Sequence, residues 1–153
     1  MACMLCWLIR GWRCMKNWVH LIATLPCYVF AADVHIDVVG VSSAEGQIVL
    51  RVWDSSESYL KQPIFSKTVP VKNVANGELR ISVSDPLPAE CAINVYHDKN
   101  ANGVLDTNWF GIPKEPTGMS NNPKGNFGPP SYQDAKIKLT GQAQVIRIKI
   151  EEI

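Results

Sequence analysis

Cysteine is scarce beyond the start of the chain. Four of the five, Cys3, Cys6, Cys14 and Cys27, lie early, and the remainder of the 153 residues keeps only Cys91. One thiol closes no internal disulfide, so that remainder must be held by a hydrophobic core. Excess charge is missing too: 15 Lys and Arg against 14 Asp and Glu give a formal net charge of +1. That balance leaves no electrostatic argument for nucleic acid or for an anionic membrane. Histidine occurs only at positions 20, 35 and 97, too few and too scattered for a closed zinc site. Internal repeats, heptads, low-complexity tails and amphipathic helices are also lacking.

What is present begins with an apolar run. Val19 to Phe30 follows Arg10, Arg13 and Lys16 and ends in Ala31 and Ala32, the layout of a secretory signal over residues 1–32 with translation starting at Met15. His20 and Pro26 interrupt the run, and it is shorter than the roughly 20 residues a spanning helix requires. An uncleaved anchor and a lipid-modified Cys27 are the alternatives, and Pro26 stands where a lipoprotein signal has a small residue. The expectation is an exported domain over residues 33–153, periplasmic or extracellular, with membrane attachment as the variant and no transmembrane segment in the mature chain.

From Val34 the pattern has a period of two. Val34, Ile36 and Val38 define one strand, and Ile48, Leu50 and Val52 define a second, read as its hairpin partner across Ser42–Gly46 and as buried mostly on one side. Phe65 to Val71, bounded by Pro63 and Pro70, reads as a strand near a sheet edge. Leu79, Ile81 and Val83 follow the Asn76-Gly77 turn, and Cys91, Ile93, Val95 and His97 alternate as a central strand. Ala135 to Leu139 and Val145 to Ile150 close the set. About seven short strands predict an all-β antiparallel sandwich, and the protein is expected to be a monomer. Cys91 is expected to be buried in its strand, not reactive.

Tyr96 to Pro130 departs from that alternation, being rich in Asn, Asp, Gly and Pro. Loops of this length in compact domains are usually functional or disordered, and its aromatic content argues for order. Asp98, Asn100, Asn102, Gly103 and Asp106 form D-x-N-x-N-G-x-x-D, which resembles the first nine positions of a calcium loop. Alternate side-chain oxygens on a tightly curling backbone converge on one hard cation, and the Val104 carbonyl falls where a backbone ligand belongs. Trp109 occupies the position of the bidentate Glu, so Glu115 would have to fold back. With so few carboxylates, the expected calcium affinity is on the order of 10⁻⁴ to 10⁻³ M. The competing reading is a series of Asx turns in which the same side chains serve the loop backbone. Trp109, Phe110, Ile112, Met119, Phe127 and Tyr132 are expected mostly to cap the open end of the sandwich, with Trp109, Phe110 and His97 as the candidate ligand or partner surface.

Catalysis has little support. His97 and Asp98 are strand neighbours and point to opposite faces, so they form no acid–base pair. Ser120 lacks the strand–turn–helix context of a nucleophile. His97 is read instead as a strand-end side chain hydrogen-bonded to the loop.

Ala92-Ile93-Asn94-Val95-Tyr96-His97-Asp98, Asn100-Ala101-Asn102-Gly103-Val104-Leu105-Asp106, Gly111-Ile112-Pro113-Lys114-Glu115, Gly118-Met119-Ser120-Asn121-Asn122 and Gly128-Pro129-Pro130 resemble the bacterial secreted family of unknown function DUF2141. The resemblance covers nearly the whole of residues 33–153 and is most specific in the loop. It departs from the family pattern before Ala92, where Glu90-Cys91 replaces a usual Gly-x-Tyr. The resemblance implies a small exported β-domain similar in outline to transthyretin-like sandwiches, with no established activity. The function expected is a non-enzymatic binding or accessory module for an envelope protein or glycan. A metal-assisted hydrolase or transferase using His97 and nearby carboxylates, and a purely structural envelope domain, are the alternatives.

Overall fold

A computed structural model describes residues 33–153 except Asn73, Ala75, Asn126 and Phe127. The signal segment, the start at Met15, the lipid-bearing reading of Cys27 and the cap assigned to Phe127 lie outside the described residues. Eight strands follow in chain order: β1 (Val34–Val39), β2 (Gln47–Trp53), β3 (Phe65–Pro70), β4 (Glu78–Val83), β5 (Glu90–Asp98), β6 (Thr117–Met119), β7 (Lys136–Lys138) and β8 (Gln144–Lys149). A single helical turn, α1 (Tyr132–Ala135), precedes β7.

The strands form two sheets. One has the order β4-β1-β8; the other runs β3-β2-β5-β6, with β7 also on β5. Ile36, Val38, Ile81, Val83 and Ile148 from the first sheet share one core with Ile48, Leu50, Val52, Ile93 and Val95 from the second. These are the inward positions of a period-two pattern, and their removal from water is the main force joining the sheets. Cys91 lies in this core, and burial pushes its thiol up to about 11, so it is not a thiolate at neutral pH.

Three expectations are corrected. β1 and β2 are not a hairpin: β1 pairs with β4 and β8, while β2 pairs with β3 and β5. The connection arches between sheets, which puts the apolar faces of both strands on the same core. Gly46, at φ +80°, permits this arch because any Cβ there would collide with the Asp98 carbonyl. The sheets are not wholly antiparallel, since β1 and β8 run parallel. β2 is buried on both sides, with Val49 and Trp53 as inaccessible as Ile48 and Leu50.

The outer face of β2 and β5 is covered by a second, smaller cluster. Ala92, Tyr132 and Ala135 pack there with Tyr59 and Met119. Trp53, Tyr59 and Tyr132 meet edge to face at 5.6 and 5.7 Å between ring centroids, and the Tyr132 hydroxyl donates to the Asp54 carbonyl at 2.8 Å. Ser131 and Asp134 form a reciprocal capping box that fixes α1.

Along one side the two sheets are tied together by backbone. Thr117 in β6 exchanges both of its hydrogen bonds with Glu151, just past β8. The Asn122 side chain accepts from Lys149 N at 2.7 Å and donates to Arg147 O at 3.1 Å, so a carboxamide occupies part of the free edge of β8. Gly118 sits against this seam, where a Cβ would run into the Lys149 carbonyl. Gly118→Ala is therefore expected to lower stability by about 1–3 kcal/mol in urea unfolding, as overpacking against an unyielding backbone does. Unchanged stability would mean the seam is looser than described.

Candidate functional site

The end of β5 sends two consecutive side chains in opposite directions, as strand geometry requires. His97 faces inward, is fully buried, and donates from Nε2 to the Glu45 carbonyl at 2.8 Å. Its backbone N–H donates to Pro116 O at 2.9 Å. His97 is thus bonded to the β1–β2 arch through its ring and to the long loop through its backbone. Its side chain reaches no exposed surface, whereas those of Trp109 and Phe110 do.

Asp98 faces the loop and organises it. Oδ1 accepts from Asn102 N at 3.1 Å, and Oδ2 accepts from Gly103 N at 2.6 Å and from Gln47 Nε2 at 2.8 Å. Gln47 is the direct cross-strand partner of Asp98. Burial acts most strongly on this carboxyl and opposes its ionisation. The bonds from Gln47 and from the N–H groups of Gly103, Asn102 and Ala101 together outweigh that effect and hold its pKa below the ordinary carboxylate value.

Beyond Asp98 the chain curls through successive Asx turns. Asn100 Oδ1 accepts from Asn102 N at 3.0 Å, and Asn102 Oδ1 accepts from Val104 N at 2.7 Å. Asp106 then closes the curl by accepting from Asn100 Nδ2 at 2.7 Å and from Asn102 Nδ2 at 3.2 Å. Glu115 does fold back. Its buried carboxylate accepts from Lys99 N at 3.0 Å and Asp106 N at 3.1 Å, clamping the two ends of the turn together. Arg51 and Tyr96 hold the apex from the sheet, both donating to the Gly103 carbonyl.

Asp98, Asn100, Asn102, Asp106 and Glu115 therefore come together, and Val104 joins them through its N–H. In this arrangement Asp106 receives the carboxamide nitrogens of Asn100 and Asn102, while their Oδ1 atoms accept from the backbone N–H groups of Asn102 and Val104. Among the described residues no group of three or more His, Cys, Asp or Glu is placed to share a metal.

The loop continues into a tight turn closed by the Thr107–Pro113 bridge. Asn108 fills it: Oδ1 accepts from Phe110 N at 2.9 Å and Ile112 N at 3.0 Å, while its backbone exchanges bonds with Gly111 and Ile112. Trp109 and Phe110 project from the tip at 87% and 66% exposure, their ring centroids 3.4 Å apart. Of the aromatic and apolar loop residues expected mostly to cap the sandwich, Tyr132 and Met119 pack inward, whereas Ile112, like Trp109 and Phe110, is exposed.

Gln47, Arg51 and Asn108 were not among the residues singled out by the sequence. Asn108 carried a signal, an Asn three residues before Gly111, which is ordinary turn chemistry. Gln47 carried none, because its role depends on cross-strand register.

The architecture and loop together define a small two-sheet, all-β protein whose longest connection is an internally hydrogen-bonded, aromatic-tipped turn. The chain belongs to the family described as "Uncharacterized protein conserved in bacteria (DUF2141)", whose model matches residues 36–147. No curated protein and no solved structure matches it.

Replacing Asp98 by Asn leaves the shape but turns one acceptor into a donor that faces other donors. Asp98→Asn is expected to cost about 1.5–3 kcal/mol at pH 7. Because the folded-state pKa is depressed, the wild-type contribution is present above the unfolded-state value of about 3.9 and is lost as pH falls through the folded value. The stability gap between the two proteins should therefore narrow below about pH 4. Urea midpoints that differ equally at pH 7 and at low pH would show that the charge on Asp98 carries none of the effect.

Proposed function

We propose that the protein is an exported, non-enzymatic binding module that holds a component of the bacterial envelope through the Trp109–Phe110 tip. One observation carries this reading. Two large aromatic side chains are kept in water on a turn whose backbone is hydrogen-bonded to itself, although burying each would favour the folded chain by about 1.5–3 kcal/mol. Monomers rarely display such groups together without a use for them. The buried position of His97 supports a non-enzymatic reading over a hydrolase or transferase. Two sheets of three and five strands around one core support the finer assignment to a transthyretin-like sandwich.

The Asp98–Asp106 turn is, in this proposal, a hydrogen-bonded scaffold for the tip that operates without calcium. Metal-stripped protein should unfold at the same temperature with and without millimolar calcium. A rise in melting temperature that Asp106→Ala removes would replace the scaffold reading with a weak calcium site, since a ligand of the native state alone must stabilise it.

Trp109→Ser combined with Phe110→Ser should leave the melting temperature unchanged and abolish retention of the protein on isolated envelopes. Full retention by a folded double variant would remove the tip from the function.

A further inference from the structure

We infer that the envelope component met by the tip is the phospholipid headgroup interface. This inference rests on the binding-module reading above and names its partner. The tip protrudes, with Trp109 87% and Phe110 66% exposed. Two open grooves lie elsewhere, one lined by Lys136, Lys138, Val145 and Arg147 and the other beside Glu78 and Arg80. A protruding apolar tip is matched by a partner that deforms around it.

The composition of the tip fits such a medium. Trp109 and Phe110 lead, Ile112 follows at 42% exposure, and Val104 on the same loop is 60% exposed. Trp has an apolar body and one polar N–H, the combination that favours the boundary between headgroups and acyl chains. Lys114 supplies an exposed positive charge next to the tip, complementary to lipid phosphate, while the bordering carboxylates, Asp106 and Glu115, are half-buried and buried.

The backbone supplies an independent observation. An unbonded N–H or carbonyl is costly in the water-poor part of a bilayer. In this turn four N–H groups, those of Asn108, Phe110, Gly111 and Ile112, are donated internally, at 2.8 to 3.0 Å, to the Asn108 side chain and to the carbonyls of Asn108 and Ile112, which lowers the cost of placing the tip at the interface. A protein partner of standard size covers on the order of 800 Å² on each side, far more than a two-ring tip presents.

The test uses the full chain and vesicles of phosphatidylethanolamine and phosphatidylglycerol carrying brominated acyl chains, which quench nearby indoles. Trp7, Trp12, Trp18 and Trp53 also emit, so the measurement is the difference between the protein and its Trp109→Phe variant, which keeps an apolar tip. Most of the Trp109 component should be quenched. Lys114→Gln should weaken that quenching roughly fivefold on anionic vesicles and leave it unchanged on phosphatidylcholine. Equal quenching of the protein and Trp109→Phe overturns the inference. A Trp109 response to purified peptidoglycan or to detergent-solubilised envelope protein, without bromolipid quenching, also overturns it while leaving the binding-module reading intact. No response to any of the three removes both.

Discussion

Burial of β5 on both faces is the constraint from which the rest of this structure follows. Eight of its nine residues, Cys91 to Asp98, are inaccessible to water. The inward set, Cys91, Ile93, Val95 and His97, is covered by the opposing sheet. The outward set, Ala92, Asn94, Tyr96 and Asp98, has no second sheet to cover it and is covered by chain drawn from elsewhere. Tyr132 and Ala135 cover Ala92; Thr117 and Gly118 take the hydrogen bonds of Asn94; and the loop closes over Tyr96 and Asp98. A buried polar side chain demands partners, and the irregular segment supplies them. The long loop is thus a third layer over the five-stranded sheet, and only its tip is free of that task.

This division explains what could be read from the sequence. Val34 to Val39, Gln47 to Trp53 and Glu90 to Asp98 were legible as strands because alternation is a local property. Their pairing was not, because Ser42 to Gly46 has the same turn chemistry whether the chain doubles back within a sheet or crosses to the other. β6 was invisible for a related reason: Thr117-Gly118-Met119 has no pattern of its own and is extended because Asn94, Val95 and Tyr96 on one side and Glu151 on the other have groups to be met.

Within the loop, the spacing of Asp98, Asn100, Asn102 and Asp106 correctly marked a set of side chains that converge, and the return of Glu115 was part of that reading. Spacing alone did not show how the side chains meet one another, because the bonds from the N–H groups of Asn102 and Val104 to the carboxamide oxygens depend on the curl of the backbone. From the sequence, Trp109 and Phe110 stood as a candidate surface but could not be separated from the aromatics that cap the sheet, since an aromatic among Gly and Pro reads the same whether it is tucked under a sheet or held away from it. Asn108 holds the turn by accepting from the Phe110 and Ile112 N–H groups and bonding Gly111 and Ile112 through its backbone.

The parallel pairing of β1 with β8 has a consequence for the order of assembly. β1 is the middle strand of its sheet, yet one neighbour, β4, is about 40 residues away and the other is the last strand in chain order. Until residues near Ile148 are available, one flank of β1 is unpaired and Ile36 and Val38 lack part of their cover. The three-stranded sheet is thus completed only by pairing between the two ends of the domain, a long-range contact of the kind that slows folding.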